Sequence, residues 1–226
     1  MATSIYEFSQ IPRVEAGPGR GERRPFVRDS GEAPRVGVIY NPRSHRNQGT
    51  DFDCGVSPLV HISQPSARAQ LPQALEELAE QGLDLLVING GDGTVRDVLT
   101  FGHAVFGDDW PMVAVLPKGK TNALTVDLGV PAEWTLQHAI DALEKGKSVR
   151  RRPIAIAPVD GASDHLKSPQ VLGFILGAGA FTTAIRAGQS AHRLGAFNGV
   201  AVGVTALWGL AHSVFGGRGH PWRSGA

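Results

Sequence analysis

Only one cysteine, Cys54, occurs in 226 residues, which excludes an internal disulfide framework and any cysteine-rich zinc site and fits a reducing interior. An excess of charge of either sign is missing too. With 22 basic and 21 acidic side chains the formal net charge is +1, so no global attraction draws the chain to nucleic acid or anionic lipid, and any such contact has to be local. None of the eight histidines has a His-Glu-x-x-His spacing, and no serine stands in a Gly-x-Ser-x-Gly elbow. A resident zinc site and Ser-His-Asp hydrolysis therefore have no motif behind them. No clean membrane-length apolar run is present. Ala196 to Gly216 comes nearest, but Asn198, His212, Ser213 and several glycines interrupt it, so a packed helix is expected there. No secretory signal opens the chain. The first 34 residues set Arg13, Arg20, Arg23, Arg24 and Arg28 among prolines and glycines, the composition of a flexible leader.

What the chain does have is an alternation of short apolar runs and amphipathic stretches. Val36 to Tyr40 reads as a buried strand stopped by Asn41-Pro42, because proline cannot donate to a ladder. Leu59 to Ile62 reads as a second strand, and Leu71, Ala74, Leu75 and Leu78 mark an amphipathic helix ending near Gly82. Leu85 to Ile88 is a third strand. A helical pattern follows from Val95, with Thr94 and Asp97 spaced as a capping box. Met112 to Leu116 gives a fourth buried strand, Thr121 or Asn122 is placed to cap the next helix, and Leu136, Ala139, Ile140 and Leu143 form another one closed by Gly146. This pattern predicts an α/β fold, doubly wound around a mostly parallel sheet, with ligands at the carboxyl ends of the strands. After Gly146 the pattern changes: Ser148 to Ala157 and Val171 to Leu176 read as strands without a crossover helix, the start of an antiparallel unit. The expected organisation is a leader over residues 1–34, an α/β domain over 35–146 and a β-rich unit over 147–226.

Three of the strand ends carry residues suited to chemistry. Gly90-Gly91-Asp92-Gly93-Thr94 joins the third strand to a helix. Glycines let backbone N–H groups approach an anion, and the helix N-terminus favours negative charge. Asp92 would not cradle an anion, yet a carboxylate among phosphate-facing amides suits a divalent cation that arrives with the phosphate. Asn41-Pro42-Arg43-Ser44 follows the first strand and Pro117 to Asn122 the fourth. Ala114 to Thr121 also fits a relaxed P-loop, but Ala114 belongs inside a strand and Pro117 lacks an N–H, so that reading is rejected. Lys120 can still reach a phosphate as a point charge. Gly177 to Phe181 and Asp160-Gly161 are read as structural.

Taken together in this order, the three loops resemble the catalytic domain of the diacylglycerol kinase family, which includes sphingosine kinases and bacterial lipid kinases and is distantly related to NAD kinases. The resemblance spans about Val36 to Gly129, with Gly90 to Thr94 as its nucleotide signature and Asn41 to Ser44 as its Asn-Pro-x-Ser opening. It implies a two-domain lipid kinase: an α/β nucleotide domain, then an antiparallel β-rich lipid domain that would here be incomplete. It further implies ATP with Mg²⁺ as cofactors and transfer of the γ-phosphoryl to a lipid hydroxyl. The implied site comprises Asn41, Arg43, Ser44, Gly90, Gly91, Asp92, Gly93, Thr94, Asp97, Lys120, Thr121 and Asn122, with Asp92 as the catalytic and metal-organising residue.

The chain departs from the family pattern at three points. Gly119-Lys120-Thr121-Asn122 stands for the usual Gly-Thr-Gly-Asn, Asp97 stands for the usual Glu, and the family's late Asp-Gly segment, which supplies the base, is not found before Ala226. Two rival expectations follow: a nucleotide-binding remnant with weak or no catalysis, and a soluble-metabolite kinase of the NAD kinase type. The expected partners are a lipid substrate and a membrane touched peripherally from the cytoplasm, with Ala196 to Phe215 as the contact and no nucleic acid. The acceptor lipid and the oligomeric state are not encoded in any motif.

Overall fold

The computed structural model describes residues 12–18, 32–49, 59–158 and 169–176. The expectations placed on Asp160-Gly161, on the glycine run from Gly177 and on the apolar stretch from Ala196 lie outside these residues. Apart from Leu176, the described residues belong to one compact unit, Pro12–Ile175.

Among the described residues ten helices and strands run in order: β1 Val36–Tyr40, β2 Val60–Ser63, α1 Leu71–Glu80, β3 Leu85–Gly90, α2 Asp92–Phe106, β4 Met112–Pro117, α3 Ala123–Asp127, α4 Leu136–Glu144, β5 Ile154–Ile156 and β6 Val171–Gly173. A 3-10 turn, Arg68–Gln70, leads into α1. The first four strands form one parallel sheet in the order β2-β1-β3-β4. The doubly wound expectation holds, because successive residues of β1 and β3 feed opposite helical layers. Val36, Val38, Leu85 and Val87 pack with Leu136 and Ala139 of α4. Ile39, Leu86 and Ile88 pack with Leu75 and Leu78 of α1 and with Val95, Val98 and Leu99 of α2. Covering on both faces explains why these strands are continuously apolar rather than alternating, and each such side chain contributes roughly 1.5–3 kcal/mol by leaving water. At the opposite end from the three loops, the carboxylate of Asp84 accepts from the backbone N–H of Arg35 at 2.8 Å and from its guanidinium at 3.3 Å, clasping the starts of β1 and β3.

Four local expectations are corrected. Helix α2 starts at Asp92 rather than Val95, and its N-cap is Gly91 in an extended conformation with no side-chain cap. Thr94 and Asp97 therefore form no capping box: the strand passes into the helix without a loop, and both side chains bond elsewhere. Strand β4 is exposed at its start, Met112 at 40% and Val113 at 39%, because it is the edge of the sheet among the described residues. Strand β2 covers Val60–Ser63, one residue later than read. Strand β5 is only three residues long, since its partner β6 is equally short, and residues 148–153 lie outside any strand.

The antiparallel pair β5-β6 docks on α2. Buried Thr100 accepts from the Leu172 N–H at 3.1 Å and donates to the Leu172 carbonyl at 3.4 Å, while Leu172 joins the core beside Leu99. Within the stretch read as a leader, Val14 exchanges backbone hydrogen bonds with Gln170, and Gly17 N–H donates to the His103 carbonyl at 2.9 Å.

Candidate functional site

In a sheet of order β2-β1-β3-β4, the chain leaves β1 toward one edge and β3 toward the other, which opens a crevice above their carboxyl ends. All three chemistry-bearing loops converge there. The Asn41 N–H donates to the Asn89 carbonyl at 3.0 Å, the Lys118 N–H to the Gly90 carbonyl at 3.3 Å, and the Arg46 N–H to the Lys118 carbonyl at 2.9 Å. The loops after β1, β3 and β4 are thus stitched together by main chain.

Asn41 organises the first loop. Its Oδ1 accepts from the Arg43 N–H at 3.0 Å, an Asx turn, and its Nδ2 donates to Thr94 Oγ1 at 2.8 Å, tying the Asn-Pro turn to the first turn of α2. Beneath it, Asn47 Nδ2 donates to the Asn41 carbonyl and to Asn89 Oδ1, both at 2.8 Å. Ser44 is buried, whereas Arg43 is exposed. Asn89 is fully buried, and its Nδ2 has no partner among the described residues, a local cost of about 1–3 kcal/mol. Asn47 and Asn89 were missed in the sequence. The signal for Asn89 was present, as a polar residue closing the apolar run of β3.

The glycine corner is held by direct backbone contact. A Cβ at Gly91 would stand 2.9 Å from the Cα of Gly119, and one at Gly119 would stand 2.7 Å from the Cα of Gly91 and 2.9 Å from Asn122 Oδ1. Neither position has room for a side chain. Gly90 is equally constrained, by Thr94 at 2.6 Å, but a Cβ at Gly93 would meet nothing within 4 Å. Protein packing therefore explains Gly90, Gly91 and Gly119 and does not explain Gly93. In a helix the Cα–Cβ bond leans toward the N-terminus, so the missing methyl of Gly93 leaves open the space beside the free N–H groups of α2.

Asp92 turns across the corner to the third loop. Its Oδ2 accepts from the Ala123 N–H at 3.1 Å and its Oδ1 from the Leu124 N–H at 3.3 Å, so it caps α3 from a distance. The expectation that Thr121 or Asn122 caps this helix is corrected: Asn122 occupies the N-cap position, but in the left-handed conformation, φ 53 and ψ 43, with no side-chain cap bond. Asn tolerates that conformation, and its side chain instead closes the loop, accepting from the Gly119 N–H at 2.7 Å and donating to the Gly119 carbonyl at 2.9 Å. Each oxygen of a carboxylate can accept more than one bond, so half-buried Asp92 retains capacity toward the crevice.

Lys120 and Thr121 are exposed at the rim. Asp97 is set apart from the three-loop network. Arg96 grips its Oδ1 through Nε at 2.9 Å and Nη2 at 2.6 Å, and Arg68 Nε bonds its Oδ2 at 2.8 Å. Neither arginine was singled out in the sequence, and nothing in a one-dimensional pattern places Arg68 beside α2. The rejected P-loop is absent in three dimensions, since Ala114 lies in mid-strand and Pro117 ends β4.

The family model for the diacylglycerol kinase catalytic domain matches residues 35–156. A diacylglycerol kinase of Bacillus subtilis (strain 168) is 32% identical over 136 residues, covering 56% of this chain and 42% of the relative. The protein of Shigella flexneri named probable lipid kinase YegS is 29% identical over 72 residues, 32% of this chain and 24% of its own. The chain thus matches less than half the length of these curated relatives. Among solved structures, one of a diacylglycerol kinase from Bacillus anthracis strain Sterne overlaps with a TM-score of 0.37 at 23% identity, covering 57% of this chain and 47% of that one.

Proposed function

The chain belongs to the diacylglycerol kinase catalytic-domain family, and on that premise we propose that it binds ATP with Mg²⁺ above β1 and β3 and transfers the γ-phosphoryl to the hydroxyl of a diacylglycerol-like lipid. The observation that carries this reading is the open space at Gly93. Glycine in a helix is less stable than alanine by roughly 0.5–1 kcal/mol, and no neighbouring atom of the described residues requires it here. A phosphate drawn close to the N–H groups of α2 would require it.

The other residues fit the same ligand. The free N–H groups at the start of α2 would face the phosphates, with Lys120 and Lys118 adding positive charge from the third loop. Asn41 fixes the first turn of α2 through Thr94, and Asn122 keeps Gly119 seated on Gly91. No group of three His, Cys, Asp or Glu side chains gathers among the described residues. A divalent cation would accordingly be held by Asp92 together with phosphate oxygens, the usual manner for Mg²⁺. When bound, that cation neutralises the charge that develops on the transferred phosphoryl. The chain's own part is positioning: the corner would hold the phosphates so that the γ-phosphoryl can be presented to an acceptor.

The acceptor is met at a bilayer surface from the cytoplasmic side. No helix among the described residues is long and apolar enough to cross a membrane. Calorimetric titration with Mg-ATP tests the nucleotide half of the proposal: Asp92→Asn, which keeps one acceptor for the α3 cap and removes the charge, should weaken binding and blunt its Mg²⁺ dependence. An unchanged titration ends the assignment of Asp92. Incorporation of label from ATP into diacylglycerol tests the other half, and labelled NADP in place of labelled lipid would transfer the chain to the soluble-metabolite reading.

A further inference from the structure

Between 144 and 152 the chain sets five cations, Lys145, Lys147, Arg150, Arg151 and Arg152, against one carboxylate, Glu144. In a protein of net charge +1 this is a pronounced local concentration. The stretch after α4 is exposed and in no regular element from Ser148 to Pro153. Arg150, Arg152 and Lys147 have no side-chain hydrogen bond or ion pair among the described residues. Lys145 Nζ lies 3.8 Å from Asp141 Oδ2, and Arg151 Nη2 lies 3.3 Å from Asp127 Oδ2 at the end of α3. That contact anchors the basic stretch to the helix that Asp92 caps.

Two valines stand out from the same place. Val149, within the basic stretch, is 69% exposed, and Val126, next to Asp127, is 70% exposed. Single exposed apolar residues need no explanation, but two of them flanking the Arg151–Asp127 ion pair, beside Arg150 and Arg152, make an apolar and cationic face. α3 has five residues, a length of about 7 Å, so this face lies one short helix from the glycine corner.

We infer that residues 145–152, with Val126 of α3, form a docking face for the surface of an anionic lipid bilayer. Arginines without a partner among the described residues find their counter-charge in lipid headgroups, each adding attraction close to the surface, and exposed valines gain by entering the interface. Nucleic acid would be drawn to the same charge, but single-strand binding relies on aromatic side chains for base stacking, and residues 144–153 contain none. The purpose of the face rests on the lipid-acceptor reading above: it would hold the crevice against the phase in which a diacylglycerol-like acceptor resides. Its binding does not depend on nucleotide, and this separates the two claims.

The test is sedimentation of the full chain, without nucleotide, with vesicles of phosphatidylcholine alone or mixed with phosphatidylglycerol. The expected result is binding to the mixed vesicles, lost as salt is raised, and little to the neutral ones. The double variant Arg150→Gln/Arg152→Gln removes two cations that hold no partner among the described residues, so its melting temperature should match the parent while its partitioning falls roughly 30-fold. Val149→Ser should weaken partitioning at high salt as well as low. Equal binding of parent and double variant, equal binding to both vesicle types, or tighter binding to a single-stranded RNA than to the mixed vesicles at the same ionic strength overturns the inference. A chain that binds Mg-ATP and phosphorylates dispersed lipid yet ignores anionic vesicles would refute this face and leave the kinase reading standing. Vesicle binding without Mg-ATP binding would do the reverse.

Discussion

Gly93→Ala is the substitution on which stability and ligand binding should part company. Gly93 is the second residue of α2, its φ is not in the left-handed region, and a Cβ placed on it meets no atom within 4 Å. Alanine should therefore be accepted without strain and stabilise the fold by roughly 0.5–1 kcal/mol, through helix propensity and a less flexible unfolded chain. For a chain of this size that raises Tm by about 1–4 °C. The same methyl leans toward the N-terminus of the helix, into the space assigned to phosphate. Displacing a phosphate oxygen from one backbone N–H removes a charge-assisted hydrogen bond worth about 1.5–3 kcal/mol, so Mg-ATP affinity should fall roughly ten- to hundredfold. Thermal melting and calorimetric titration on one preparation read both quantities. A variant that melts higher and binds Mg-ATP as tightly as the parent would show that the space above Gly93 belongs to no phosphate.

Gly91→Ala should behave in the opposite way on both counts: with the Gly119 Cα at 2.9 Å, overpacking costs about 1–3 kcal/mol, and denaturant melts should show a lower midpoint together with weaker nucleotide binding. Asn122→Ala loses both bonds to Gly119 and leaves a non-glycine residue at φ 53; Asn122→Gly keeps the backbone conformation and should recover part of the lost stability in the same urea titration. Thr100→Val leaves the buried Leu172 N–H unpaired, at about 1–3 kcal/mol, and hydrogen exchange should show the β5-β6 pair opening more readily than the parallel sheet. Asp84→Ala frees the backbone N–H of Arg35 and unclasps β1 from β3, which a shifted urea midpoint at an unchanged m-value would register as about 1–3 kcal/mol.

The parallel sheet was legible because it is buried on both faces. Val36–Tyr40 and Leu85–Ile88 are apolar without alternation, and helix α1 between them keeps a clear period in Leu71, Ala74, Leu75 and Leu78. The candidate corner was legible as three loops, because glycine, proline and asparagine punctuate strand ends for local steric reasons. What the sequence withheld were relations between loops. Thr94 and Asp97 have the spacing of a capping box, but Thr94 accepts from Asn41, 53 residues earlier, and Asp97 is held by Arg68. Asp92 was read as a ligand for a metal, while its observed bonds go to backbone N–H groups of α3, partners that no one-dimensional spacing specifies. The short β5 was overextended because the basic run 150–152 interrupts a β-favourable composition without changing its apparent period.

The contact between Gly91 and Gly119 has a consequence for how the crevice can breathe. Side-chain gates open by rotamer hops, but here two stretches of main chain abut with no side chain between them, so widening the corner requires both loops to shift as backbone, against the hydrogen bonds that lace them together. Ligand exchange would then run through the open mouth above α2 and not between the loops. Lys120 and Thr121, exposed on this fixed frame, can be replaced to retune charge at the entrance while the floor stays where it is.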